Sequence, residues 1–494
     1  MSDKNSHQRP WRTLVTTVAA AGVLGLAGCT DEDTQNSPDN FTKNSPEDIA
    51  QESKSDYNDN TNGLITGSTL QEWIDDWEDN RPSGITGDLV IMHVSTEEDG
   101  SDDPVYIEPK PTEGVRSYAL DVTSRLTETR SNGVVTNKRM VPSASKMDEF
   151  LADFDIDPTE DMIVWTMGAG GGGQAMQQGR GWYAMRYWGT EKEHLALLNG
   201  GADWDENEDA NDYVIHSDYK GDSVNCDVLN DEDTSCLPDS GTVTARDLPE
   251  DNTAMLATLD DVMDAVQGKT DAFIWDARSY GEYEGDSYSS GGMQGHPKGA
   301  VVLPFGNLLM DDGSNRYKTK DDLAAYVAGD DVEGDDEQFH YLDYDADSLM
   351  KVKGNNDGLL YEDGQTSITY CETTYRAMIT GVASAVVLGM PNRFYDGAMT
   401  QWNHMVYNQT EEGDYVLPHD SPWRTDKSEL SYFNAETAGE FSVDGEFAVD
   451  DAYGANTNEI VETDRAYKIS GAGGDDDSSS DDGGGAPAAN PCGG

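Results

Sequence analysis

From Leu64 to Trp204 short apolar runs alternate with stretches whose apolar positions recur at helical spacing. STLQEWIDDW (68–77) puts Leu70, Trp73, Ile74 and Trp77 on one face behind a Ser that can cap. DLVIMHV (88–94) and MIVWTM (162–167) are apolar with little alternation, the pattern of strands covered on both faces. SASKMDEFLADF (143–154) predicts a helix capped by Ser143 or Ser145, and GWYAMRYWG (181–189) a helix ending at Gly189. HLALLNGGADW (194–204) reads as a strand and turn. The second half repeats the order. TLDDVMDAV (258–266) is helical, AFIWDAR (272–278) a strand and TKDDLAAYV (319–327) helical. SITY (367–370) runs into Cys371, RAMITGVASAVVLG (376–389) predicts an apolar helix, and NRFYDGAMTQW (392–402) a strand and turn. Strand–helix alternation predicts an α/β fold with two mainly parallel sheets, each flanked by helices.

The ends read differently. Lys4, Arg9 and Arg12 precede a short apolar run, Leu14 to Gly28, which is too brief for a permanent membrane span. It closes on Leu26-Ala27-Gly28-Cys29, which resembles a lipoprotein lipobox. That resemblance implies removal of residues 1–28, lipidation of Cys29, and export to the outer face of the membrane. Residues 29–62 read as an acidic, solvated tether. Residues 206–250 read as an acidic linker, 411–470 as an extension without an assigned role, and 471–494 as a low-complexity tail that contains Cys492.

The charge excludes some partners. The 494 residues include 96 Asp and Glu against 32 Lys and Arg, a formal net charge of −64. Such a field repels phosphate backbones, so nucleic acid is rejected as a partner. It suits a protein of very salty surroundings, where the Debye length shrinks to about 3 Å and self-repulsion fades. Cys226 and Cys236 flank DVLNDEDTS, and two close cysteines in an exported chain predict a disulfide. No second Cys or His pair lies near them, so no metal site is expected. Asp343, Asp345 and Asp347 mimic the start of a calcium loop, but Ser348 and Gly354 occupy the positions that need Gly and Glu. The surrounding 330–365 reads as a solvated surface excursion.

WDARSYGEY (275–283), GHPKGAVVLPF (295–305), LLMDDGSNRYKTKDDL (308–323), YCETTYRA (370–377) and FYDGAMTQW (394–402) together resemble the rhodanese family of tandem-domain sulfurtransferases. GWYAMRYWG and LLNGGADW extend the likeness to the first half. The resemblance implies a non-catalytic rhodanese-like domain over 63–205 and a catalytic one over 251–410. It implies a persulfide-forming nucleophile at Cys371, in an active loop of Glu372, Thr373, Thr374, Tyr375 and Arg376. The loop amides would cradle the sulfur, and Arg376 would supply positive charge to an anionic donor. Asp276 and Arg278 would tie loops near the pocket, and His296 would be a turn residue rather than a base. The implied reaction moves a sulfane sulfur from thiosulfate or a mercapto-acid to a thiol or cyanide, with no cofactor. A Cys between a strand end and a helix N-terminus fits this chemistry on its own terms, because unpaired N–H groups there favour a thiolate.

Two departures bear on the donor. Glu282-Tyr283 stands where many tandem members place an Arg before the aromatic residue, so an Arg at 282 should favour thiosulfate. Glu372 puts a carboxylate beside the nucleophile, which tends to raise a thiol pKa. The domain over 63–205 has no Cys, and Gly168 to Gly173 occupies its loop position. That run formally matches a dinucleotide fingerprint with Glu191 downstream, but a polyglycine stretch matches it by chance. Two alternatives stay open. One is a non-catalytic binding or persulfide-carrier module. The other is a phosphatase or arsenate reductase, for which four residues between Cys371 and Arg376 make a tight loop.

Overall fold

The computed structural model describes residues 41–55, 57–94, 106–168, 172–202, 214–215, 226–227, 241–286, 295–328, 340–343, 351–354, 361–407, 417–433 and 448–471. The lipobox with Cys29, the tail with Cys492, the Asp345 and Asp347 pattern and Cys236 all lie outside them. So does the side chain of Cys226, whose backbone forms a short strand beside Tyr118. No helix among the described residues is long and apolar enough to cross a membrane.

Two six-stranded sheets organise the chain. The first runs Cys226–Asp227, Val115–Leu120, Leu89–Val94, Met162–Met167, Leu195–Leu198, Gly63–Ile65, with every neighbouring pair parallel. Leu89–Val94 and Met162–Met167 are buried at all six positions, as continuous apolar runs require in a sheet covered on both faces. The second sheet has a parallel core of Val301–Val302, Ala272–Asp276, Thr366–Tyr370 and Asn392–Phe394. His340–Asp343 and Lys351–Gly354 extend its edge as antiparallel strands. Part of the expected surface excursion is therefore a hairpin, whose backbone groups pair with the sheet instead of with water. The α/β expectation of mainly parallel sheets flanked by helices holds.

The helices follow the apolar spacing, with adjusted starts. Gly67–Asp75 is capped by Thr66, whose hydroxyl accepts from the Thr69 amide, rather than by Ser68. Leu259–Val266 has a complete capping box, Thr258 with Asp261. The helix expected from Gly181 begins earlier, at Gly172, and runs to Trp188. Its glycines permit close approach. A Cβ at Gly181 would come within 2.5 Å of the Trp165 ring, and one at Gly179 within 2.9 Å of Met378. The helix thus lies tight against the first sheet on one side and against helix Tyr375–Val382 on the other. Tyr183 meets Phe394 with ring centroids 4.5 Å apart. One apolar cluster contains Trp165, Tyr183, Met378 and Phe394, so the core is continuous from the first half to the second.

Segments that look polar in sequence join this frame. In the stretch read as a tether, Thr42–Lys43 pairs in parallel with Glu250–Asp251, and Ser45 caps Pro46–Ile49 in a box with Asp48. Ile49 is buried, and the amides of Gln51 and Ser53 donate to the carbonyls of Ala385 and Val387. Capping and main-chain pairing order these residues despite their low apolar content. In the extension, Ser431–Phe433 pairs with Gly295–Pro297, and Ala448–Val449 with Val135–Met140. Helix Glu459–Gly471 carries Asp464, which forms a bidentate pair with Arg130 and accepts from the Tyr187 hydroxyl. It also carries Lys468, which donates to the carbonyls of Trp188 and Ala245. Burial lowers the Lys468 pKa to about 8.

Candidate active site

The strand Thr366–Tyr370 lies between two parallel neighbours and delivers Cys371 to the end of the sheet. Cys371 is a free thiol and fully buried. It packs with Ala277 and Ala377, and Phe305 lies against that group. The small alanines come from the next residue of the neighbouring strand and the first turn of the following helix. Ala277 continues the strand register, its amide donating to the Tyr370 carbonyl at 2.9 Å.

Between Cys371 and the helix Tyr375–Val382 the chain turns through Thr374, whose φ of 71° lies in the left-handed region. A β-branched residue there is costly, on the order of 1–3 kcal/mol, and needs outside support. The support is the loop after the last parallel strand. Thr374 Oγ1 donates to the Asp396 carbonyl at 2.8 Å. The amides of Met399 and Thr400 donate to the carbonyls of Cys371 and Glu372 at 3.0 and 3.1 Å. The six residues Cys371 to Arg376 therefore form one braced loop that enters a helix N-terminus.

Paired carboxylates and guanidinium groups surround it. Arg376 reaches Glu282 through two hydrogen bonds of 2.7 and 2.8 Å. Burial opposes the charge of Arg376, but the bonds to Glu282 and the field of Cys371 prevail and raise its pKa. Burial likewise opposes the charge of Glu282, but Arg376 outweighs it and holds its pKa at about 2. Arg376 is thus neutralised by a partner in the protein rather than left open for a donor. Glu282 also closes the capping box on Ser279, which sets the helix Tyr280–Glu284 that carries it.

Asp276 and Arg278 are both fully buried. Arg278 Nη2 lies 2.7 Å from Asp276 Oδ2 and 2.6 Å from the Gly295 carbonyl. The Tyr370 hydroxyl donates to the same carboxylate at 2.6 Å. Arg278 Nη1 lies 3.7 Å from Glu372 Oε2, so the carboxylate beside Cys371 faces a cation. His296 is fully buried, stacks on Tyr283 with centroids 3.7 Å apart, and sets Nδ1 2.7 Å from the Tyr283 carbonyl. Burial depresses its pKa to about 3, so it is neutral at pH 7.

The first half also reaches the loop, which local sequence pattern did not reveal. The Tyr375 hydroxyl lies 2.7 Å from Thr123 Oγ1. Arg180, from the glycine-rich helix, contacts the Asp396 carboxylate at 2.8 and 3.2 Å, with both side chains buried. Val141 donates its amide to Asp396 Oδ2 at 2.8 Å, and Arg180 Nη2 donates to the Arg139 carbonyl at 2.9 Å. Asp396 lies in the FYDGAMTQW motif, but sequence reading did not single it out, because its side-chain partners lie more than two hundred residues away.

No protein-family model matches the sequence, and comparison with curated proteins yields no match. Among solved structures the chain is similar to Tum1 from Saccharomyces cerevisiae at 13% identity, over 69% of this chain and 95% of that one, with a TM-score of 0.47. It is similar to SseA from Escherichia coli, a 3-mercaptopyruvate sulfotransferase with the rhodanese fold, at 18% identity over 68% and 98% of the chains, with a TM-score of 0.40. The anaerobic ergothioneine biosynthesis enzyme from Chlorobium limicola is similar at 15% identity over 72% and 70%, with a TM-score of 0.46.

Proposed function

We propose that the protein is a sulfurtransferase that carries sulfur as a persulfide on Cys371. The observation that carries this reading is the placement of the thiol: a free, buried Cys371 between a central parallel strand and a helix N-terminus, inside a short braced loop. The helix N-terminus supplies unpaired N–H groups and positive potential, which stabilise a thiolate and then a terminal persulfide sulfur. With thiosulfate, the thiolate of Cys371 attacks the sulfane sulfur. A new S–S bond forms, the donor S–S bond breaks, and its electron pair leaves with sulfite. With an α-keto mercapto-acid the C–S bond breaks instead, and its electron pair becomes an enolate that takes up a proton. An acceptor thiolate or cyanide then attacks the outer sulfur and returns Cys371 as a thiolate. No cofactor enters this scheme. Only four residues separate Cys371 from Arg376, a short loop that suits a single sulfur atom better than a tetrahedral phosphate and so argues against phosphatase or arsenate reductase chemistry.

The test is mass spectrometry of the intact protein after thiosulfate or 3-mercaptopyruvate. The wild type should gain one sulfur, and Cys371→Ser should gain none while keeping its fold. Full activity in Cys371→Ser would overturn the reading, and turnover of a phosphate ester dependent on Cys371 would refute the loop-size argument.

A second reading, a binding or persulfide-carrier module, draws on the pairing of Arg376 with Glu282, which leaves that guanidinium neutralised. Persulfide formation without multiple turnovers would favour it. On either reading the protein is exported and held at the outer face of the membrane by lipid on Cys29, a proposal supported by the lipobox pattern of residues 26–29.

A further inference from the structure

An anionic sulfur donor needs an open cation, and the guanidinium groups placed so far are occupied. Arg376 is held by Glu282, Arg278 by Asp276, and Arg180 by Asp396. Arg139 is different. It is exposed, and among the described residues no carboxylate is paired with its guanidinium. That guanidinium lies 5.9 Å from the ring centroid of Tyr375, the loop residue directly before Arg376.

Its backbone is as unusual as its position. Arg139 is the penultimate residue of the strand Val135–Met140 and has φ 61°, in the left-handed region. A long side chain is disfavoured there, and such outliers persist where the surroundings over-determine them. Here they do: the Arg139 carbonyl accepts from Arg180, and two residues on the Val141 amide donates to Asp396. Asp396 also fixes the nucleophile loop, because its carbonyl accepts from Thr374. One buried ion pair therefore sets both the turn that presents Arg139 and the turn that presents Cys371.

Resting on the sulfurtransferase reading, we propose that Arg139, contributed by the first half of the chain, is the residue that binds the anionic group of the sulfur donor. A single open guanidinium beside a loop that carries Glu372 and is paired with Glu282 fits one negative charge better than two. Its planar fork matches a carboxylate. The site should therefore prefer a donor with one carboxylate to the thiosulfate dianion.

Three variants test this in one buffer of fixed salt: Arg139→Ala, Arg139→Lys and Arg139→Gly. Gly suits the left-handed turn, so Arg139→Gly should fold with an unchanged or higher Tm while lacking the cation. In Arg139→Ala and Arg139→Gly, KM for 3-mercaptopyruvate should rise tenfold or more with kcat changed less than threefold, and Arg139→Lys should recover part of the loss. Calorimetric binding of 3-mercaptopropionate to Cys371→Ser, with and without Arg139→Ala, reads recognition without turnover. If sulfur transfer fails in the wild type but this binding disappears with Arg139, the sulfurtransferase reading falls and the anion site stands. An unchanged KM in Arg139→Gly, or unchanged or undetectable binding in the calorimetric pair, would overturn the proposal.

Discussion

Glu282 shows how one residue changes meaning once its partner is known. In sequence it is a carboxylate where a cation would help thiosulfate. In the structure it holds Arg376 with two hydrogen bonds and has its pKa lowered from 4.5 to about 2. Replacing it with Arg would press two guanidinium groups together, so Glu282→Arg should destabilise the site rather than activate it. Glu282→Gln is the informative change. It removes the charge that neutralises Arg376, so KM for thiosulfate should fall several-fold. Stability should drop by roughly 1–3 kcal/mol, the range for a lost charge-assisted bond. The sign with pH follows from the depressed pKa. The pair's contribution is fully present above pH 4.5 and is lost as pH falls toward about 2. Urea denaturation at a series of pH values should therefore show wild type and Glu282→Gln differing at neutral pH and converging below pH 2. A constant difference across that window would mean that the pair does not titrate as described.

At the scale of elements, the glycine-rich helix Gly172–Trp188 packs between the first sheet and the helix that follows Cys371. Its low intrinsic propensity is overridden by packing, since Gly179 and Gly181 allow contacts that any Cβ would block. It presents Arg180 to Asp396 in a fully buried pair. Breaking one side of such a pair leaves an uncompensated charge and costs roughly 3–5 kcal/mol. Arg180→Leu should lose stability on that order in urea denaturation, and it should also lower sulfur transfer, because Asp396 supports Thr374 and Val141 at once. Loss of stability with full activity would separate the pair from the site.

The whole molecule carries −64 formal charges, and its interior ion pairs do not offset that surplus. Dilute buffer should leave the self-repulsion unscreened and molar salt should remove it, so Tm should rise steeply from low to molar KCl. A flat profile would count against adaptation to high salt. At the N-terminus, lipidation of Cys29 should place the protein in the membrane fraction. A single chain anchors only marginally, so two lipid chains are expected. Cys29→Ser should release the protein to the medium, and unchanged fractionation would reject the anchor.

Local chemistry written in consecutive residues was readable from the chain alone. Strands such as MIVWTM declared themselves because a sheet buried on both faces admits only apolar runs. Cys371 stood out because strand, thiol and helix follow one another within a few residues. The Asp276 and Arg278 pair was expected from the family resemblance, and in the folded chain the two side chains meet at 2.7 Å. Polar segments misled where their order comes from elsewhere. Residues 41–55, 417–433 and 448–471 are held by pairing with distant backbone and by buried ion pairs, which no local apolar pattern encodes. The electrostatics of the site belong to the tertiary structure in the same sense. Whether Arg376 meets a donor or Glu282, and whether Arg139 faces solvent or the Tyr375 ring, depends on residues 94 and 236 positions apart in the chain. Coulomb interactions act through a few ångströms of space, and only the folded chain sets those distances.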